Sequence, residues 1–301
     1  MSLFALVAAL AWERFQPDLP VRPRETARRW MVWLLDNVNA GGEQHGLLAW
    51  SLGVLVPALA VGAVALFLDG VWRPLGWAFD VAVVYFCLGF RRASYQAASV
   101  ARALLAGETE RARAILATWR PGLIVGAGAE DVALQTAEEV LRQSLVRLFG
   151  VVFWFVLLSA PGAVLYLLGH LARDQWHAEP RFGSVAARAA WLLDWLPARA
   201  AAFSFAIVGN FQDALECWRG QAREWGGAGE EGEGILLAAG AGALGLRLGG
   251  RVTLAEGELL RPELGVGEPP DAESMDGVVA LVWRAILLWG AALGLLWLGS
   301  L

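Results

Sequence analysis

Uncharged apolar stretches alternate with polar segments along the whole chain. From Leu47 to Leu68 the sequence reads LLAWSLGVLVPALAVGAVALFL, 22 residues without a charge. At about 1.5 Å rise per residue, a helix of that length crosses a bilayer core of roughly 30 Å. A second such stretch runs from Leu148 to Gly169 and a third from Ala285 to Leu301. Two further stretches are short or interrupted. Residues 75–90 carry Asp80, and AAWLLDWLPARAAAFSFAIVG at 189–209 carries Asp194, Pro197 and Arg199. The proline predicts a broken helix there, which lipid tolerates only where protein or water satisfies the freed backbone groups. Together the pattern predicts an all-α, multi-spanning helical membrane protein of four to five transmembrane helices.

The intervening segments predict helices of another kind. Residues 1–12 are apolar but too short to cross, and no small-residue cleavage motif follows them. They read as an interfacial or re-entrant helix, not as a cleaved signal peptide. In the polar segment 13–46, Pro17, Pro20 and Pro23 precede an Arg-bearing stretch around Arg28 and Arg29. RRASYQAASVARALL and TERARAILATW within 91–147 read as amphipathic helices separated at Gly107, the second ended by Pro121-Gly122. A third helix starts after Glu130-Asp131 and runs into the span at Leu148. Segment 210–276 holds 13 acidic residues against five Arg and includes the flexible run GGAGEEGEG at 226–234. The expected organisation is one integral membrane domain over 1–301 with helical inserts at 91–147 and 210–276.

Arg counts orient it. Segment 13–46 has five Arg and segment 91–147 has eight, against one in the turn at 69–74. The positive-inside rule then puts both inserts in the cytoplasm and the protein in a bacterial inner membrane.

Composition narrows the chemistry. All 24 basic residues are Arg, so Schiff-base and P-loop lysine chemistry are excluded within this chain. A net charge of −5 gives no reason to expect nucleic acid as a partner. Cys87 and Cys217 lie far apart and read as packing residues. With three His and no His/Cys cluster, no protein-built metal site is expected. Among 16 Trp, several (Trp50, Trp72, Trp77, Trp176 and Trp297) flank apolar stretches, where indole rings favour the headgroup layer; the alternative is core packing.

Candidate functional residues are few. Asp80 is an intramembrane charge, and so either a functional group or a residue near the interface or paired with an Arg. Arg199, just past the expected break, could bind a phosphate or carboxylate, or form an ion pair with Asp194 or Asp213. Asn210, Asp213 and Arg219 follow, and either line a ligand site or lie on a solvated helix face. AAGAGALGLRLGG at 238–250 brings Gly242, Gly245, Gly249 and Gly250, read as close helix packing or as a phosphate-cradling loop.

Several passages resemble one superfamily of inner-membrane proteins, AmpE and CobD/CbiB. LLDWLPARAAAF at 192–203 with IVGNFQDALECW at 207–218 is similar to its Leu-Pro-Ala-Arg segment. AAGAGALGLRLGG at 238–250 and FWFVLLSAPGAVLY at 153–166 resemble the CobD/CbiB branch, while the opening MSLFALVAALAWERF resembles AmpE. The CobD/CbiB resemblance implies an amide ligase of cobalamin synthesis, joining aminopropanol or its phosphate to cobyric acid with ATP and Mg²⁺, and hence a corrinoid ligand. The AmpE resemblance implies a regulatory or sensory protein without ligase chemistry or cofactor, whose partners would be other membrane or cell-wall-recycling proteins.

Departures from the CobD/CbiB pattern shift the expectation. Its early Pro-His-Pro is Leu19-Pro20-Val21-Arg22-Pro23 here, and Trp119-Arg120-Pro121-Gly122 stands near its Gly-Arg-Asp. Its Glu-Thr and Glu-Asn become Glu138-Glu139 and Arg142-Gln143, and its Asn-Thr-Leu-Asp becomes His170-Leu171-Ala172-Arg173. Near Gly226 the acidic, glycine-rich run replaces its Ser-Pro-Asn. Carboxylates and polar groups are what Mg²⁺, phosphate and an attacking amine need. The sequence therefore favours an AmpE-like regulator, with the cobalamin-synthesis ligase as the alternative.

Overall fold

The computed structural model describes residues 22–119, 124–225, 231–254 and 257–299. The expectation for 1–12, and for the 226–230 part of the glycine-rich run, lies outside them. In chain order the helices are α1 (Arg22–Val38), α2 (Glu43–Trp50), α3 (Val56–Val71), α4 (Arg73–Cys87), α5 (Phe90–Leu105), α6 (Thr109–Trp119), α7 (Ala129–Ser144), α8 (Gly150–Trp176), α9 (Pro180–Val208), α10 (Phe211–Gln221) and α11 (Glu231–Leu244). Strands β1 (Arg247–Leu254) and β2 (Gly257–Gly265) follow, then α12 (Ser274–Gly299). A π-helical turn at Ser51–Leu55 joins α2 to α3, and another at Leu145–Phe149 joins α7 to α8.

Five helical stretches are long and apolar enough to cross a bilayer: Glu43–Val71, Arg73–Leu105, Ala129–Trp176, Pro180–Val208 and Ser274–Gly299. The chain is therefore a multi-pass helical membrane protein. It divides into two compact units. One takes the chain up to Gly89, Val146–Pro197 and the end from Trp297; the other takes Phe90–Leu145 and Ala198–Leu296.

In the first unit α3 and α4 form a hairpin against α8. Its core gathers Met31 and Leu34 of α1, Ala49, Val54, Leu168, Ala172, Trp176 and Phe182. Trp176 is fully buried and donates Nε1–H to the Met31 carbonyl at 2.9 Å, so this indole is core and not an interfacial ring. Arg24 donates to the Cys87 and Leu88 carbonyls and closes the C-terminus of α4, where unpaired carbonyls favour a cation.

Helix α9 runs through Pro197 without the expected break. Proline removes the bond that would satisfy the carbonyl four residues earlier, here Leu193. The Trp154 indole donates to that carbonyl at 2.9 Å, so the helix continues. The distortion falls on α8 instead, which is two helices joined by a sharp reversal at Ser159 (φ 56°, ψ −149°), two residues before Pro161. A Cβ on Gly150 would lie 2.0 Å from the Tyr166 ring, 16 residues on, so the second half folds back along the first. That conformation strains any residue with a Cβ.

The second unit is built on α5, α6 and α7, with α10 packed along α11. Gly240 and Gly242 allow the approach: a Cβ on Gly242 would lie 2.5 Å from the Asp213 carbonyl oxygen, and one on Gly240 2.9 Å from Leu141. The glycine-rich passage is thus close helix packing up to Leu244, as one of the two sequence readings had it. There the helix stops. Gly245 takes φ +66°, its N–H bonds the Gly242 carbonyl, and the Leu246 N–H bonds the Ala241 carbonyl. This double bond with a left-handed glycine is a Schellman ending. At 14 residues, about 21 Å, α11 is too short to span; it is buried within the unit. Glu231–Gly234, read from sequence as flexible, form its first turn.

The antiparallel β1–β2 hairpin was not expected in an all-helical chain. Its bulge falls at Gly249/Gly250, opposite Pro262. Proline has no N–H to give the ladder, and the two glycines, at φ +73° and +71°, absorb the misfit.

Candidate functional site

In the second unit, α7 carries two adjacent carboxylates, both buried: Glu138 is 8% exposed and Glu139 2%. Glu138 accepts from the Gly249 backbone N–H at 2.9 Å and from Arg261 at 2.6 Å. Arg261 in turn lies over the Trp225 ring, 5.3 Å from its centroid. The bulge is what makes this possible, since it withdraws the Gly249 N–H from the strand ladder and presents it to α7. One helix, one hairpin and the segment that follows α10 are thus brought together around Glu138 and Arg261. Glu139 accepts from Arg142 through two nitrogens, at 2.8 and 2.6 Å, and from Gln143 at 2.7 Å. On the same helix Gln135 clamps the preceding loop, bonding the Gly126 N–H and the Ile124 carbonyl. The Gln221 amide likewise exchanges two hydrogen bonds with the Gly265 backbone, holding the end of β2 against α10.

Arg199 pairs with Glu231 at 2.6 Å, a partner the sequence reading did not name. Asn210 caps α10: its Oδ1 accepts from the Asp213 N–H at 3.2 Å, and its Nδ2 donates to the Asp213 carboxylate at 2.6 Å. Arg219 is exposed. Asn210 and Asp213 are therefore spent on each other at a helix start. Cys217 is buried on α10; burial, reinforced by the Asp213 and Glu216 charges, pushes its thiol up, which suits a packing role.

The first unit holds the other buried carboxylate. Asp194 on α9 accepts from the Tyr166 hydroxyl at 2.7 Å and from His170 Nε2 at 2.9 Å, with Arg173 at 3.9 Å. A carboxylate only accepts, so the imidazole carries its proton on Nε2. His170 and Arg173, two of the departures from the CobD/CbiB pattern, both turn to this one acid. Asp80 on α4 is half-buried, and its Oδ1 has no hydrogen-bond partner among the described residues; the pairing with Arg considered from sequence is not what that oxygen makes. No group of three or more His, Cys, Asp or Glu among the described residues could hold a metal ion.

Of the residues singled out by sequence, the structure brings Gly249 to Glu138 and Gly242 to Asp213, while Arg199 pairs with Glu231 and Asp194 with Tyr166 and His170. Glu138, Arg261 and Trp225 were missed as a group. The available signal was the pair Glu138-Glu139 inside an otherwise apolar helical face, and the alternation around Arg261.

The fold defines a multi-pass helical membrane protein that buries an acid–arginine node beside a glycine bulge. The family model described as CobD/Cbib protein matches residues 6–282, and the chain belongs to that family. It is 37% identical over 254 residues to "Cobalamin biosynthesis protein CobD" of Stutzerimonas stutzeri (strain A1501), covering 83% of this chain and 81% of that one. A protein of the same name from Chromobacterium violaceum is 36% identical over 220 residues, 70% of this chain and 68% of its own. No solved structure matches. These findings back the cobalamin-synthesis branch of the resemblance; neither carries the AmpE-like regulatory one.

Proposed function

We propose that this chain works in cobalamin biosynthesis, forming the amide between cobyric acid and aminopropanol or its phosphate. The observation that carries the reading is the family match across 6–282, joined to relatives of matching length named for cobalamin biosynthesis. In the reaction a nucleoside triphosphate, with Mg²⁺ on its phosphates, is a substrate. Its terminal phosphoryl group passes to the cobyric acid carboxylate and the nucleoside diphosphate leaves. The amine nitrogen then forms the C–N bond as the acyl C–O bond breaks, releasing phosphate and a proton from the amine.

For this chain's own residues the reading assigns positioning roles. Glu138 holds the Gly249–Gly250 bulge and Arg261 in place. Arg199 is the guanidinium placed to exchange Glu231 for an anionic substrate group, because a part-exposed ion pair is weak. The inserts at 91–147 and 210–276 face the cytoplasm of a bacterial inner membrane in this reading, where corrinoid and nucleotide are found together.

A bacterium lacking its own CobD/CbiB protein, fed cobyric acid under conditions requiring cobalamin, provides the test. Growth restored by this chain is expected. No growth, with membrane expression confirmed and cobinamide still rescuing, contradicts the proposal and returns the regulatory reading.

A further inference from the structure

In the first unit, α1 has a buried face and an exposed one of unusual character. Met31 and Leu34 enter the core, while Trp30 and Trp33 on the other side are 40% and 50% exposed. Their rings stack, with centroids 5.1 Å apart and planes 8° from parallel. One turn before them, Arg28 and Arg29 share the single carboxylate of Glu25, two cations against one anion.

The contacts of α1 fix its level along the spans. Its Met31 carbonyl meets the indole of Trp176, the last residue of α8. Met31 and Leu34 also close over Gly53, where a Cβ would lie 2.6 Å from Leu34, in the first half of the span Glu43–Val71. Trp176 stacks edge-on against Phe182 in the first turn of α9, and Glu43 pairs with Arg188 of that helix. Because α8 folds back at Ser159, its second half returns toward the side it came from. Its last residue, Trp176, meets α1 beside the start of the span Glu43–Val71 and the start of α9. That is the level of a membrane boundary.

We propose that α1 lies in the phospholipid headgroup layer, with the stacked Trp30–Trp33 face immersed among lipids and Arg28 and Arg29 toward their phosphates. Paired indoles half-exposed to water would be an unfavourable surface, whereas the headgroup layer takes both their apolar faces and their N–H groups. Guanidinium groups one turn away add attraction to anionic lipid. The inference holds whichever reaction the chain performs, because it rests on α1 and the helix ends it touches and on no catalytic group.

The test uses the full chain in vesicles of phosphatidylcholine and phosphatidylglycerol, with Trp33→Cys carrying an environment-sensitive fluorophore. Cys87 and Cys217 are buried, and the unsubstituted chain measures their background. Trp30→Cys serves as a second position should the first fail to fold. Blue-shifted emission, quenched by lipids spin-labelled near the headgroup and hardly by aqueous iodide, is expected. Strong iodide quenching without lipid quenching would overturn the proposal by placing the face in water. Quenching by neither would overturn it too, because protein would then cover the face.

Discussion

Each unit buries a carboxylate on a helix, and the two satisfy it by different means. Asp194 in the first is met by side chains alone: the Tyr166 hydroxyl, the His170 ring and, farther off, Arg173. The bond joins helix to helix. Glu138 in the second is met by a backbone N–H and a guanidinium, both from a β-hairpin. A buried bulge leaves backbone groups outside the strand ladder, and these need a partner from elsewhere in the protein. One acid fastens two helices that would form anyway, and the other satisfies the backbone N–H that the hairpin's bulge takes out of its ladder.

Removing each acid separates the two cases. Glu138→Ala leaves the Gly249 N–H without its acceptor and Arg261 without its carboxylate, and should cost about 3–5 kcal/mol, the range for breaking a buried pair. Heating the purified protein in detergent should show a sharply lowered unfolding midpoint, with Glu138→Gln milder because it keeps an acceptor. Asp194→Ala leaves no buried charge without a counter-ion as close as Arg261 is to Glu138, and orphans only a hydroxyl and an imidazole N–H. The loss should be smaller, about 1–3 kcal/mol in all. A loss as large as that of Glu138→Ala would break the comparison.

Gly249→Ala sharpens it. The left-handed conformation and the approach of the Pro262 carbonyl leave no space for a methyl group, and about 1–3 kcal/mol is expected from the strain. Growth on cobyric acid should fall with it, whereas Gly220→Ala, where nothing lies within 4 Å, should leave both unchanged.

The smallest effect lies outside either node, at the start of α12. Asp271 and Ser274 bond each other's backbone N–H groups at 2.8 and 2.9 Å, and Asp271→Ala should cost about 1 kcal/mol as a lost helix cap. The Ser274 N–H holds the Asp271 carboxyl below the usual carboxylate range. Its contribution is therefore full above the unfolded value and disappears as pH falls through the folded one. A midpoint difference between wild type and Asp271→Ala that persists at strongly acid pH would contradict this.

The spanning helices were legible because twenty-odd uncharged apolar residues have few other fates, and the five stretches fall where hydropathy puts them. What escaped was set by tertiary partners. Pro197 reads as a break until the Trp154 indole takes up the freed Leu193 carbonyl. Gly249 and Gly250 read as part of a small-residue helix because nothing local reveals that Pro262 will oppose them. Arg199 suggested Asp194 or Asp213 by proximity in sequence, yet its partner Glu231 lies 32 residues on. Glu138 was noticed only as part of a departure from a motif, since its importance depends on a hairpin that apolar periodicity does not announce.

The central claim is that amide-forming chemistry belongs to this chain. Purified protein in lipid, given cobyric acid, isotope-labelled aminopropanol phosphate, ATP and Mg²⁺, can be followed by mass spectrometry of the corrinoid. The account predicts label joined to the corrinoid through an amide, and much less of it from Glu138→Gln prepared alongside. Label that stays in free aminopropanol phosphate, from wild-type protein that is folded and monodisperse, would contradict it.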